Sequence, residues 1–249
     1  MPPDTRFTDL RYADFRRMAL DPSLSHYEKI GFPDSYRAGC GEAIFADICR
    51  KLTRLDKRGL TVLDIGCGCS DLPRLLIDHC RQHDQRLILI DAPEMLALLP
   101  KAPFIRKIPA CYPDECPQLF SQFAGCIDVI LTYSVLQIVF AEGDVFSFLN
   151  RSLGLLADGG QMLVGDLPNA SKRRRFFSSP NGVRFHQHFM QTNEKPDVDA
   201  ITPENGIDDG VLLALLSQAR LAGFDSYLLP QSADLPLANR REDLLICKP

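Results

Sequence analysis

Short runs of apolar residues alternate with segments of helical spacing through the middle of the chain. The apolar runs predict strands at residues 61–65, 86–91, 104–108, 126–132 and 161–165, with two more at 225–230 and 243–247. Helical spacing predicts helices at residues 41–55, 71–81, 93–99, 142–156 and 209–222. Such alternation is typical of a parallel sheet with helices on both faces. The last two strands are separated only by loop residues, so we expect them to pair antiparallel.

Two segments break this rhythm. Residues 1–38 form an extension rich in aromatic and charged side chains, and residues 166–205 are polar, with Pro, Gly, Asn and Ser throughout. The second segment shows no sustained periodicity. Long segments of that kind are usually lids or binding loops, so we expect a lid-like insert there.

The chain has 249 residues, of which 45% are hydrophobic and 24% charged, as in ordinary globular proteins. The formal net charge is −4, which disfavours broad nucleic-acid binding because that requires a basic surface. One basic run, residues 172–175, is the local exception. We interpret it as either a solvated face or a grip for an anionic ligand.

Nine cysteines are scattered along the chain, several of them within apolar runs. The first residues lack the architecture of a signal peptide, and no apolar stretch is long enough to span a bilayer. We therefore expect a cytoplasmic protein whose cysteines are mainly small core residues. Cys67 with Cys69, or Cys80 with His83, has no second pair at a suitable spacing, so no metal site is expected.

The stretch from Val62 to Asp71 reads as a strand, a tight Gly-x-Gly turn and a helix. A dinucleotide fingerprint would have a third glycine where Asp71 stands, and that carboxylate would repel a pyrophosphate. Asp64, at the strand end, suits a cationic or zwitterionic ligand such as an amino acid moiety. Asp91, at the end of the next strand, can accept hydrogen bonds from both hydroxyls of a ribose. Together they indicate a nucleoside joined to an amino acid.

Four motifs in order carry a family resemblance. They are Asp64-x-Gly66-x-Gly68, the segment from Asp91 to Met95, the segment from Cys126 to Gln137, and Leu156-x-Asp-Gly-Gly160. Over roughly residues 60–165 the chain resembles the class I S-adenosylmethionine-dependent methyltransferases. The resemblance implies an α/β, Rossmann-like, doubly wound sheet of seven strands, mostly parallel with the last strand antiparallel. It also implies S-adenosylmethionine as cofactor and S-adenosylhomocysteine as product.

The resemblance assigns roles to individual residues around that cofactor. It implies Asp64, Gly66, Cys67 and Gly68 around the methionine part, Asp91 on the ribose, Ala92 and Met95 against the adenine, Cys111 at the adenine edge, and Tyr133 and Ser134 near the methyl group. Family members commonly carry an acidic residue for the adenine amine near Cys111, where Asp114 is the nearest candidate in this chain. Arg37 is a candidate partner for the cofactor carboxylate, since an arginine fork binds carboxylates well. Tyr27 and Tyr36 are candidates to pack over the cofactor, with packing under the N-terminal helix as the alternative. The N-terminal extension and the insert are both expected to cover the site.

The acceptor is expected to be a small molecule. Residues 132–135 read Thr-Tyr-Ser-Val, which differs from the Asn/Asp-Pro-Pro-aromatic motif of nucleic-acid enzymes that methylate amines. The segments 26–37 and 165–169 resemble bacterial methyltransferases of sugar and surface-polysaccharide pathways. We therefore expect O-methylation of a sugar, sugar nucleotide or related metabolite, with no membrane partner and nucleic acid disfavoured.

One domain is expected, comprising an N-terminal helical extension (1–55), a cofactor-binding core (60–165), an acceptor-binding insert (166–206) and a terminal helix and strand pair (207–249). A hydroxyl acceptor benefits from a general base, for which Asp166, His186 and His188 are candidates. The alternatives are a capping carboxylate for Asp166 and ordinary surface positions for the histidines. Three other functions remain open: a non-catalytic nucleoside-binding relative, a nucleic-acid or protein methyltransferase, and an NAD-type oxidoreductase.

Overall fold

The computed structural model describes residues 5–7, 10–201 and 206–249, and its centre is one seven-stranded sheet in the order β3-β2-β1-β4-β5-β7-β6. The strands are β1 (Thr61–Ile65), β2 (Arg86–Asp91), β3 (Ile105–Pro109), β4 (Ile127–Tyr133), β5 (Leu156–Pro168), β6 (Asp225–Pro230) and β7 (Arg241–Cys247). Strands β1 to β5 pair in parallel, whereas β7 runs antiparallel to both β5 and β6. The predicted fold class is confirmed, including the antiparallel last strand.

Eleven α-helices lie within the described residues. They are α1 (Tyr12–Leu20), α2 (Asp34–Arg37), α3 (Gly41–Lys51), α4 (Asp71–Gln82), α5 (Pro93–Ala97), α6 (Pro117–Phe123), α7 (Leu136–Glu142), α8 (Val145–Leu153), α9 (Ala170–Ser178), α10 (Pro180–Met190) and α11 (Asp209–Leu221). Short 3-10 turns cover Thr5–Phe7, Glu28–Ile30 and Thr53–Asp56. None of the helices described is long and apolar enough to cross a membrane.

The sheet separates two hydrophobic layers, and successive residues of β1 face opposite ones. Val62 packs with Ile48 and Leu76, from α3 and α4, on one side. Leu63 packs on the other side with the layer that contains Phe148 of α8 and Leu212 of α11. This period of two is the strand geometry that places helices on both faces of a doubly wound sheet.

The insert differs from the expected irregular loop because it contains α9 and α10. Asn169 caps α9 by accepting a hydrogen bond from the Lys172 N–H, and Ser179 caps α10 by accepting one from the Gly182 N–H. Pro180 occupies the first turn of α10, where its missing N–H costs nothing. Caps therefore start these helices, although their exposed faces lack the apolar periodicity that would have predicted them.

The region after β4 also differs from expectation. The predicted helix over 142–156 is shorter, α8 at Val145–Leu153, and an additional helix α7 precedes it. Strand β5 begins at Leu156, so the Asp-Gly-Gly sequence at 158–160 lies within that strand and does not end the helix. A register shift between Ile127 and Val129 of β4 accommodates these residues in the pairing with β5.

Candidate functional site

A cavity of about 290 Å³ opens at the carboxyl ends of β1, β2 and β4. This edge is where ligands bind in open α/β sheets. Most of its wall is apolar, from Phe15, Ile30, Ile138 and Val139 among others. Of the sequence-predicted cofactor residues, these line it: Arg37, Gly66, Cys67, Gly68, Asp91, Met95, Cys111, Tyr133 and Ser134. Asp64 and Ala92 are fully buried beside it and do not line it.

The Gly-x-Gly turn forms the floor of the cavity. Gly66 and Gly68 adopt φ values of +70° and +65°, in the left-handed region that favours glycine. A Cβ atom on Gly66 would lie 2.5 Å from a methyl of Val135, and one on Gly68 would lie 2.8 Å from a methyl of Ile30. Both glycines are therefore required by backbone conformation and by close packing.

The Asp91 carboxylate is fixed by backbone groups of this floor. Its Oδ2 accepts from the Gly68 N–H at 2.7 Å, and its Oδ1 accepts from the Ala92 N–H at 2.6 Å. Burial raises the pKa of Asp91 to about 6, although these two hydrogen bonds oppose the shift. These hydrogen bonds fix the turn to the end of β2 and hold the Asp91 carboxylate, a hydrogen-bond acceptor, on the cavity wall.

Asp64 adds a second buried carboxylate close to the first. Burial, and then the charge of Asp91, raise the pKa of Asp64 to about 8. Two carboxyl groups in this position carry an electrostatic cost that a positively charged ligand would relieve. The floor therefore suits a cation next to a group with vicinal hydroxyls.

Arg37 and Asp166 form a buried ion pair at the ends of β4 and β5. One Arg37 nitrogen, Nη2, contacts Asp166 Oδ2 and also donates to Ser134 Oγ at 3.2 Å. Ser134 Oγ donates in turn to Asp166, and the Phe32 ring lies 4.1 Å from the guanidinium carbon. Both Ser134 and Asp166 have positive φ, 61° and 59°, so the network holds two strained residues at strand ends.

This pairing changes the expectation for Asp166 as a general base. Burial alone would raise the pKa of Asp166, but Arg37 and Arg241 outweigh burial and lower it. A carboxylate so held is a weak proton acceptor, and Asp166 does not line the cavity. Arg37, predicted to bind the cofactor carboxylate, lines the cavity while its Nη2 holds Asp166.

The N-terminal extension covers the cavity, and it places Tyr27 but not Tyr36 in the lining, together with Tyr12, Phe15 and Ile30, which the sequence did not single out. The Tyr27 hydroxyl donates to Asp71, and His26 Nε2 lies 3.4 Å from the other oxygen of that carboxylate. Arg16 forms a bidentate pair with Glu94, with donor–acceptor distances of 2.6 and 3.0 Å. For Tyr12, Phe15 and Ile30 the sequence offered no signal beyond the aromatic and charged composition of residues 1–38.

The described residues of the insert lie outside the lining of this cavity, and its expected role in binding the acceptor stays a prediction. His186 is half-buried and His188 exposed, both on α10. Three residues of the basic run have partners outside the cavity: Lys172 Nζ donates to the Arg241 carbonyl at 2.8 Å, Arg174 donates to the Ile201 carbonyl and Arg175 pairs with Asp209. It therefore does not stand at the cavity mouth.

The fold matches solved structures across nearly the whole chain. A structure of the plantazolicin methyltransferase BpumL in complex with SAH aligns with a TM-score of 0.58 and 14% identity, covering 94% of this chain and 95% of that one. The structural match decides the fold. The chain has the fold of S-adenosylmethionine-dependent methyltransferases.

Two further structures agree with this methyltransferase fold. A putative methyltransferase in complex with the Haloferax volcanii Trm112 activator aligns with a TM-score of 0.54 and 15% identity, over 94% of this chain and 97% of that one. A putative S-adenosyl-L-methionine-dependent methyltransferase from Methanococcus maripaludis gives 0.51 and 17%, over 86% and 90%. No protein-family model and no curated protein matches this sequence.

Proposed function

We propose that this protein transfers a methyl group from S-adenosylmethionine to a small-molecule acceptor. The observation that carries the proposal is the pair of buried carboxylates, Asp64 and Asp91, at a Gly-x-Gly turn in a methyltransferase fold. S-adenosylmethionine combines a sulfonium and an ammonium with a ribose. Its positive charge would stabilise the ionised forms of both carboxyl groups, which burial disfavours. Its ribose hydroxyls would donate to the carboxylate of Asp91.

The residues present fit such a cofactor. Asp91 would hold the ribose, Met95 and Cys111 would contact the adenine, and the Gly-x-Gly turn would hold the methionine part. When bound, S-adenosylmethionine supplies an electrophilic methyl group. The protein's own contribution is alignment and the exclusion of water, because an in-line displacement needs both. The apolar wall from Phe15, Ile30 and Ile138 provides the dry environment.

For the acceptor we propose a hydroxyl group of a sugar or related metabolite. Support comes from the resemblance of segments 26–37 and 165–169 to methyltransferases of sugar and polysaccharide pathways. The buried pair between Arg37 and Asp166 joins these two segments. A structure of similar fold, the plantazolicin methyltransferase BpumL, contains a desmethylPZN analogue together with SAH. Proteins of this fold therefore also bind molecules other than sugars.

No general base is assigned with this proposal. Asp166 is an ionised partner of Arg37, and both His186 and His188 stand outside the cavity lining, which argues against all three. Methyl transfer to oxygen then depends mainly on proximity and orientation, which can supply about 7–11 kcal/mol of rate acceleration.

Isothermal titration calorimetry with S-adenosylmethionine and S-adenosylhomocysteine tests the cofactor assignment. We expect both to bind, and Asp91→Ala to weaken binding by about 10- to 100-fold, the loss of charge-assisted hydrogen bonds to two hydroxyls. Asp225→Ala, at an exposed position of β6, is the matched control and should bind as the wild type does. Binding of NAD⁺ in place of S-adenosylmethionine would refute the proposal in favour of an oxidoreductase.

The acceptor class needs a separate assay. Methyl-labelled S-adenosylmethionine is incubated with the protein and with a panel of sugars and sugar nucleotides, and label transfer is followed by mass spectrometry. Transfer to an oxygen of a panel member supports the acceptor proposal. Transfer only to peptides or nucleic acid, with none to the panel, would overturn it while leaving the cofactor assignment intact.

A further inference from the structure

We propose that Cys49, Asp56 and His79 form a binding site for a zinc ion, on the face of the molecule covered by α3 and α4. One potential ligand atom from each residue lies within 4.8 Å of the other two. The residues come from three elements: Cys49 from α3, Asp56 from the end of the 3-10 turn Thr53–Asp56, and His79 from α4. The proposal is independent of the cofactor site, because none of the three lines the cavity.

The imidazole is already held in place. The side chain of His79 is only 12% exposed, its ring makes an edge contact with Phe45 at 5.5 Å between centroids, and the His83 ring stacks on it at 4.1 Å. A ligand that is packed on two sides loses little conformational freedom on binding a metal. Packing therefore fixes the orientation of the His79 imidazole before any metal binds.

A backbone carbonyl offers a fourth donor. His79 Nε2 lies 2.9 Å from the Leu55 carbonyl oxygen and 3.8 Å from Asp56 Oδ1. Neighbouring ligands of a tetrahedral zinc stand roughly 3.3–3.8 Å apart, given bonds of about 2.0–2.3 Å. Asp56 Oδ1 is already at such a distance from Nε2, whereas the Leu55 oxygen, which also accepts from Gln85 Nε2 at 2.6 Å, would have to move a few tenths of an ångström away from the imidazole.

Asp56 is the donor with the most freedom to move toward a bound ion. The Asp56 side chain is 63% exposed, so its carboxylate can rotate toward the other donors without disturbing the core. Cys49 is half-buried on α3 and fixed by its helix. Closure around one ion requires rotation of Asp56 and also a small approach between the ligand atoms of Cys49 and His79, which now lie within 4.8 Å of each other.

The donor set selects the metal. A thiolate with an imidazole and a carboxylate favours zinc over magnesium or calcium, which require sets dominated by oxygen. A bound ion would tie the end of α3 and the following turn to α4, the helix that begins directly after the Gly-x-Gly turn. The expected consequence is a clip that stiffens this side of the fold.

The experiment uses the full-length reduced protein, stripped of metal with a chelator and titrated with cobalt(II) as a spectroscopic substitute for zinc. We expect a thiolate-to-cobalt charge-transfer band in the near ultraviolet that reaches its full intensity at one equivalent and is displaced by zinc. Cys49→Ser should abolish this band, and His79→Gln should weaken cobalt binding at least tenfold. Cys126→Ser, which removes an exposed thiol elsewhere, should leave the band intact.

Thermal unfolding supplies a second readout and detects variants that do not fold. At equal zinc concentration, zinc should raise the Tm of the wild type and of Cys126→Ser by more than that of His79→Gln, because stabilisation by a ligand of the native state falls as its affinity falls. Absence of a charge-transfer band in the wild type would overturn the proposal. A band of equal intensity in Cys49→Ser would also overturn it, since it would place the binding at another cysteine.

Discussion

Two segments outside the regular βα pattern take different positions. The N-terminal extension reaches across the sheet edge and contributes Tyr12, Phe15, Tyr27, Ile30 and Arg37 to the cavity wall. The insert after β5 contributes none of its described residues and folds instead into α9 and α10. Both segments are polar and of similar length in the sequence. Of the two, only the extension lines the cavity with residues that the structure describes.

The partners of the charged side chains explain the difference. The extension finds partners in the core of the fold, since Tyr27 reaches Asp71 and Arg37 reaches Asp166. In the insert, Lys172 donates to the Arg241 carbonyl of β7, and Arg175 pairs with Asp209 of α11. The extension is therefore held at the cofactor cavity, whereas these basic residues of the insert are held against β7 and α11.

The largest expected difference between the segments is in the effect of losing an arginine. Arg37→Ala should lower the free energy of unfolding by about 3 kcal/mol, because it removes the closer of the two arginines that compensate the buried Asp166 charge and leaves only Arg241. Arg184→Ala, on the exposed face of α10, should change it by less than about 0.5 kcal/mol. Urea denaturation measures both. Equal destabilisation by the two substitutions would remove the distinction between the segments.

The next expected effect is the pH dependence of stability, which comes from the cavity floor. The folded-state pKa of Asp64, about 8, lies above the usual value of 3.8, so the folded protein retains a proton that the unfolded chain releases. Its contribution to stability therefore decreases as pH rises from about 4 to 8. Asp64→Asn should flatten this decrease, so that the variant gains stability relative to the wild type between pH 5 and pH 8.

Urea denaturation at pH 5 and pH 8 checks this expectation, with Asp225→Asn on exposed β6 as control. Asp91, whose pKa is raised to about 6, acts in the same direction over a narrower range. A wild type whose stability rises between pH 5 and pH 8, unaffected by Asp64→Asn, would show that the floor does not bury an uncompensated carboxyl group.

A smaller effect is expected from the contact that fastens the extension. Tyr27→Phe removes the hydrogen bond to Asp71 while keeping the ring on the cavity wall. It should weaken S-adenosylhomocysteine binding about fivefold, which corresponds to about 1 kcal/mol for one hydrogen bond. Tyr36→Phe, at a half-buried position that does not line the cavity, is the matched control. If calorimetry gives the same affinity for both variants, the contact does not hold the extension closed.

The smallest effect is expected in the insert. His186→Ala and His188→Ala should leave S-adenosylhomocysteine affinity and methyl transfer unchanged within twofold, since neither side chain lines the cavity. Stability should change by no more than about 0.5 kcal/mol, as for other surface positions. Loss of transfer in either variant, with binding retained, would return that histidine to the role of general base.

The sequence was sufficient for the sheet and for the floor of the site. Strands buried on both faces read as continuous apolar runs, and the Gly-x-Gly turn with Asp91 lies at strand ends that any parallel sheet brings together. The contacts that cover the site were not predictable. Tyr27 and Asp71 are 44 positions apart and Arg37 and Asp166 are 129 apart, so no local pattern records them. Helices α9 and α10 were not predicted for another reason: capping residues mark their starts, and their sequences lack a clear apolar periodicity.

Hydrogen–deuterium exchange with and without S-adenosylhomocysteine tests the central claim most directly. If the N-terminal extension closes over the cofactor cavity, ligand binding slows exchange of backbone amides in residues 12–40 and leaves residues 170–190 unchanged. The opposite pattern would contradict the account and make the insert the lid. In that case the bound ligand would slow exchange in residues 170–190 and leave exchange in residues 12–40 unchanged.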